Sequence, residues 1–349
     1  MKRSILIRTD ASADIGTGHL MRCIALAQAF QKKNIDPIFV LAVDTLLTKR
    51  LKEEGMEFIH INAVRGSSDD AKETIMIADD HDAQWIVTDG YAFDANYSHH
   101  LRDANHRVLM VDDYAHLPAG QAGLPAYDCD FLLNQNIDAS EEMYAGKTDA
   151  KLLLGTSYAL LRKEFREYAD RTRNIPDVAT NILVTLGGGD PENATTPILS
   201  ALDQVDAYKL SVTAIIGSEN PHEDALKKIT AGSKHTITLL KSVTDMPSLM
   251  AKADLAIAAA GSTSWELLYM GLPFITGILA ENQAGIAARL GAEGLAVNVG
   301  WYKDCPPERL AAQITSLISD HALRERMSLT GRKTIDGKGA ERVLEALER

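Results

Sequence analysis

Three times along this chain a short apolar run breaks at glycine and restarts with helical spacing. A strand that enters a helix through a glycine turn is the unit from which parallel α/β sheets are wound, so this pattern constrains the fold more than any other feature. The first instance opens the chain. Ser4-Ile-Leu-Ile7 suits a buried parallel strand, Gly16 and Gly18 permit a tight turn, and Leu20, Cys23, Ile24, Leu26, Ala27 and Phe30 then recur on one helical face. Asn181-Ile-Leu-Val-Thr-Leu186 runs in the same way into Gly187-Gly-Gly-Asp190 and a helix over 194–202. Leu255-Ala-Ile-Ala-Ala-Ala260 runs into Gly261-Ser-Thr263 and a third helix.

Between these landmarks the pattern predicts strands at 37–42, 58–61, 85–88, 107–111 and 128–133, and later at 209–216, 237–240 and 274–276. Helices are expected at 46–54, 69–80, 222–229, 243–250 and 284–290, with Thr244 or Asp245 capping the fourth. The charged stretch 166–173 reads as helical, and the pattern restarts around Asn174-Ile-Pro-Asp177, which places a linker near 165–178. A chain of 349 residues is large for one domain. Two Rossmann-like α/β domains follow, 1–170 and 171–349, with the last helix able to pack back on the first.

Hydrophobic residues make up 46% of the chain, enough for two cores. No apolar run approaches the roughly 20 residues of a membrane span, and Met1-Lys-Arg-Ser4 leads into a strand rather than a signal peptide. A cytoplasmic protein is the expectation. Cys23, Cys129 and Cys305 are odd in number and far apart, which indicates neither a disulfide framework nor a zinc site. A formal charge of −12 argues against nucleic acid or an anionic membrane as partner, while leaving room for a local anion pocket.

His19 stands in the first turn of the first helix. The positive end of the helix dipole disfavours imidazolium there and keeps the ring neutral near pH 7, as a general base requires. A histidine that only caps its helix fits the same spacing. Asp89 and Tyr91 follow the strand at 85–88, and ligands in open α/β sheets lie beyond the carboxyl ends of strands, which places both toward the rim of His19. Tyr91 suits either a hydrogen bond to a sugar or phosphate, or packing at a loop corner. Asp112, Asp113 and His116 invite a metal, but neighbouring aspartates at a strand end point to opposite faces, so no metal site is expected.

In the second half, Gly188 and Gly189 bring backbone amides close enough for a phosphate. Gly261, Ser262 and Thr263 offer amides and hydroxyls for a diphosphate, with Glu266 one turn deeper, where a carboxylate can hold ribose hydroxyls. Ser262 as N-cap and Glu266 as capping-box carboxylate are the structural alternatives. Glu281-Asn282-Gln283 adds polar groups for a sugar, or caps the helix that follows.

Taken together, Arg8-Thr-Asp-Ala-Ser12, Ile15-Gly-Thr-Gly-His-Leu-Met-Arg-Cys23, Asp89-Gly-Tyr91, Tyr158-Ala-Leu-Leu-Arg162, Ala259-Ala-Gly-Ser-Thr-Ser-Trp-Glu266, Glu281-Asn-Gln283 and Asp336-Gly-Lys-Gly339 resemble the PseG nucleotide-sugar hydrolases of pseudaminic acid biosynthesis. Glu266-Leu-Leu-Tyr-Met-Gly-Leu-Pro273 resembles the donor-site helix of the glycosyltransferase MurG. The resemblance implies GT-B architecture, two Rossmann-like domains facing across a cleft, and metal-free, cofactor-free, inverting hydrolysis of UDP-2,4-diacetamido-2,4,6-trideoxy-β-L-altropyranose. It implies that His19 activates water, with Asp10 as its partner or a sugar ligand, and that Gly16, Gly18 and Arg22 line the substrate. Val243 would read uracil, Glu266 ribose, and Gly188, Gly189 and Gly261 to Thr263 the diphosphate, while Tyr91 and Asn282 face the sugar. Glu281 replaces a common aspartate and Tyr114 a common aliphatic residue. An SpsG-like glycosyltransferase, using a sugar hydroxyl in place of water, is the alternative that the same motifs imply.

Overall fold

The computed structural model describes every residue except 1, 2, 13, 14, 44, 46, 121, 122, 188, 189, 191, 218, 219 and 242. Two compact units emerge, one made of the chain up to Arg162 together with Lys338–Arg349, the other of Lys163–Gly337. The strands of the first are β1 (Arg3–Thr9), β2 (Ile35–Leu41), β3 (Glu57–His60), β4 (Ala83–Asp89), β5 (Arg107–Val111), β6 (Phe131–Asn134) and β7 (Lys151–Leu154). They form a parallel sheet in the order β3-β2-β1-β4-β5-β6-β7. In the second unit β8 (Asn181–Thr185), β9 (Ser211–Ile216), β10 (Thr236–Lys241), β11 (Leu255–Ala259), β12 (Phe274–Ile278) and β13 (Val297–Trp301) form another, ordered β10-β9-β8-β11-β12-β13.

The central strands are apolar on both faces because helices cover both. Ile5 and Ile7 of β1 pack on one side with Leu20, Ile24 and Phe30 of the helix Gly18–Lys32, while Leu6, between them, joins Ile86, Tyr97 and Leu101 on the other. The final helix, Gly339–Leu347, adds Val343, Leu344 and Leu347 to the first of these cores. Its entry is tight. A Cβ on Gly339 would lie 2.2 Å from the carbonyl oxygen of Ala159.

A buried arginine fixes the loops above β1. Arg8 donates Nε and Nη2 to the two oxygens of Asp70 at 2.9 and 2.8 Å, tying the strand to the helix Ser68–Asp80. Asp70 also accepts from the Tyr97 hydroxyl of the helix Ala95–Asp103 and from the amide of Gly66. Gly66 sits at φ +70 with the carbonyl of Ala92 so near that no side chain fits.

Three differences from the sequence reading have local causes. The stretch 166–173 is not a helix beyond Arg166, because Arg173 is drawn onto the carbonyls of Met250, Ala253 and Met270. The helix Ala95–Asp103 was not expected, its apolar face being only Tyr97 and Leu101, yet Asp94 caps it at the amide of Tyr97. Strand β13 also went unread, since its sequence Val-Asn-Val-Gly-Trp carries a polar residue and a glycine.

Candidate functional site

In each sheet the strand order reverses once, at β1/β4 and at β8/β11, and such switch points open a crevice beyond the carboxyl ends of the strands. The residues singled out in the sequence follow these four strands. His19 comes after β1, Asp89 ends β4 beside it with Thr9 as its register partner, and Gly261 comes after β11. Gly16, at φ +80, turns the chain between β1 and the helix Gly18–Lys32 by donating its amide to Ser12 at 2.8 Å. Thr17, at the N-cap position, makes no side-chain cap.

His19 is 6% exposed and its Nδ1 lies 2.7 Å from Asp89 Oδ1. Arg22, one turn along, grips the same carboxylate with Nε and Nη2, each at 2.6 Å, and reaches Asp113 through Nη1 at 2.5 Å. Tyr91 donates its hydroxyl to the other oxygen of Asp113 at 2.7 Å and sets its ring edge-on to His19 at 4.9 Å. The result is a continuous polar chain, Tyr91–Asp113–Arg22–Asp89–His19. Every orientation in it is fixed by a charged partner.

Burial alone would raise the Asp89 carboxyl, but the charge and hydrogen bonds of Arg22, with those of His19, outweigh it and hold Asp89 well below the usual carboxylate range. His19 Nδ1 lies between Asp89 Oδ1 and Arg22 Nη2, the latter at 3.1 Å, so Asp89 and Arg22 together hold the ring. Arg22 shows the same balance from the other side, burial opposing its charge and Asp113 and Asp89 more than restoring it. The thiol of Cys23 also donates to Asp89 Oδ2 at 3.3 Å, and burial with that negative neighbour pushes it well above its ordinary value.

Two expected roles change. Asp10 does not reach His19: it accepts from Arg8 at 2.7 Å and from the amides of Ala42 and Val43 at 2.7 and 3.1 Å, so it holds the loop after β2. Its place as partner belongs to Asp89. Arg22, expected to line substrate, is 7% exposed with its guanidinium on Asp89 and Asp113. The sequence pattern assigns no partner to Asp89 or Asp113. The available signal is that an aspartate ends β4, which adjoins β1, and two more follow β5 on its other side.

Asp112 and Asp113 do point apart. Asp112 accepts from Tyr127, Tyr144 and the amide of Ala115, while Asp113 faces Arg22 and Tyr91. Among the described residues no group of three or more His, Cys, Asp or Glu side chains is placed to hold a metal ion.

In the second unit, Gly188 and Gly189 fall outside the described residues. Asp190 beside them accepts from Thr195 and from the amide of Ala194, tying the glycine turn to the helix Thr195–Asp203. Gly261 has nothing within 4 Å of where a Cβ would stand. Ser262 occupies the N-cap position of the helix Thr263–Tyr269 without a side-chain cap bond, and Glu266 is half-buried in its first turn. Val243 is half-buried after β10, ahead of the Asp245 cap on the amide of Ser248. Glu281 is exposed and Asn282 half-buried in a 3-10 turn, where Gln283 accepts from the amide of Leu279 at 2.9 Å and so braces its own loop.

Residues 182–343 match the glycosyltransferase family 28 C-terminal domain. The spore coat polysaccharide biosynthesis protein SpsG of Bacillus subtilis is 30% identical over 201 residues, 57% of this chain, and the chain spans 59% of that relative's length. The UDP-2,4-diacetamido-2,4,6-trideoxy-β-L-altropyranose hydrolase of Campylobacter jejuni is 25% identical over 297 residues, covering 84% of this chain and 98% of that protein. Over most of its length the chain is thus similar in sequence to a PseG-type hydrolase. Its fold is that of GT-B proteins: the structure of Acinetobacter baumannii MurG superposes with a TM-score of 0.69 over 99% of both chains at 16% identity. No helix among the described residues is long and apolar enough to cross a membrane.

Proposed function

We propose that this chain hydrolyses a UDP-activated, N-acetylated deoxyhexose to UDP and the free sugar, with His19 taking the proton from the attacking water. The observation that carries this reading is the 2.7 Å contact of His19 Nδ1 with an ionised, arginine-locked Asp89. In this reading Nδ1 donates to Asp89 and Nε2 accepts the proton. A base held this way gains both orientation and stabilisation of the imidazolium it becomes.

UDP is a good leaving group once its charge is met, so the chemistry needs an oriented water and a base, with no acid to protonate the diphosphate. In this reading Val243 reads uracil, Glu266 holds ribose, and Gly188, Gly189 and Gly261 to Thr263 receive the diphosphate. Tyr91 and Asn282 contact the sugar, with Glu281 and Gln283 shaping the same loop. A single displacement inverts the anomeric carbon, and no metal takes part. Likeness to the Campylobacter hydrolase along 98% of its length supports water as acceptor and that diacetamido sugar as substrate. Likeness to SpsG supports the rival in which a sugar hydroxyl attacks.

Purified protein incubated with the UDP-diacetamido sugar alone separates the two. Release of UDP and free sugar without any added acceptor is the expected result. Release only on addition of an acceptor sugar assigns the chain to the transferases.

A further inference from the structure

Among the described residues only five large hydrophobic side chains are exposed; two are aromatic, Tyr91 and Tyr114, at 45% and 39%, and Tyr91, which packs against Tyr114, stands edge-on to His19. Their rings are 6.0 Å apart, edge to face. Tyr114 stacks on His116 at 4.6 Å with an interplanar angle of 14°, and Tyr91 stands edge-on to the same imidazole at 5.2 Å. Exposed aromatic rings gathered at one place mark a contact surface more often than scattered apolar residues do.

The cluster is held in place before any ligand arrives. Asp112 accepts from the amide of Ala115 at 2.7 Å, closing a turn in which Ala115 takes φ +55, and its other oxygen lies 3.2 Å from His116 Nδ1. Asp112 is itself buried under the hydroxyls of Tyr127 and Tyr144. Tyr91 is braced by Asp113. The Tyr114 ring thus has one face stacked on the His116 imidazole and Tyr91 edge-on at 6.0 Å, and its exposed 39% is left to meet a flat apolar partner.

We propose that Tyr114, backed by His116 and joined to His19 through Tyr91, is a specificity-determining platform on which the apolar face of the sugar ring rests, favouring 6-deoxy hexoses over fully hydroxylated ones. The inference deepens the hydrolase reading and rests on it for the identity of the sugar. A hexose presents a face of C–H groups to an aromatic ring, and a methyl in place of the C6 hydroxyl extends that face without adding a polar group to desolvate. Burial, with the negative charge of Asp112 and Asp113, pushes the Tyr114 phenol up, so the platform carries no charge of its own.

The test is saturation-transfer NMR with free 2,4-diacetamido-2,4,6-trideoxyhexose as probe, on the parent chain, Tyr114→Phe and Tyr114→Leu. Transfer to the C6 methyl and ring protons is expected for the parent and for Tyr114→Phe, with affinity about five- to tenfold weaker in Tyr114→Leu. Equal transfer in all three, or none in the parent, overturns the platform. Release of UDP from the UDP-sugar is read separately: a parent that binds the probe but releases no UDP sinks the hydrolase and leaves the platform standing.

Discussion

Asp89 keeps its charge because Arg22 outweighs burial, and the imidazole beside it takes its orientation from that charge. His19→Ala is expected to lower kcat by about 10³-fold while UDP affinity, measured by calorimetry, stays within a few-fold. Asp89→Asn keeps the shape but removes the negative charge beside Nδ1, and a loss of about 10²-fold or more in kcat should follow. Undiminished turnover in either variant removes that residue from the mechanism. The pH dependence has a defined sign. A carboxylate depressed in the folded state adds stability above its unfolded value, near 3.9, and loses it as pH falls through the lower folded value. Acid unfolding of the parent should therefore steepen below about pH 4, and Asp89→Asn should flatten that limb. A second residue-scale prediction concerns the thiols. Cys23, Cys129 and Cys305 are all buried, and burial pushes each thiol up, that of Cys129 to about 12. Native protein at pH 8 should resist iodoacetamide, with full labelling only after denaturation as judged by mass.

At the scale of elements, the sheet was legible wherever strands are buried on both faces. Runs such as Ser4–Ile7, Asn181–Leu186 and Leu255–Ala260 signal themselves by continuous apolarity. β13 does not, and the helix Ala95–Asp103 offers too narrow an apolar face to be read without its tertiary partner. For the site, the sequence located His19, Tyr91 and Asp89 on one rim, because strand ends and glycine turns are local features. Which carboxylate meets the histidine depends on β4 lying next to β1, a pairing 70 residues apart that no local pattern encodes. Asp10, nearer in sequence, was instead captured by Arg8. The entry of the last helix yields a prediction at this scale. Gly339→Ala places a methyl against the backbone of Tyr158 and Ala159, and a loss of about 1–3 kcal/mol is expected in urea unfolding. No change in midpoint would mean that the contact yields without cost.

At the scale of the molecule, the chain returns to its first unit at the end, so that unit is not continuous in sequence. Removing Lys338–Arg349 takes Val343, Leu344 and Leu347 from its core, each contributing about 1.5–3 kcal/mol when fully buried. Hydrogen exchange should then rise in β1 and the helix Gly18–Lys32 and stay unchanged in peptides of β8 to β13; protection lost equally in both would refute the division. Turnover in EDTA should equal turnover without it, since amides and hydroxyls meet the charge of the diphosphate in the proposed mechanism. The central claim, that water activated by His19 attacks the sugar carbon, is tested most directly by hydrolysing the UDP-diacetamido sugar in oxygen-18 water. The account predicts one heavy oxygen at C1 of the released sugar and none in UDP. Label in the β-phosphate of UDP would place the attack on phosphorus and contradict it.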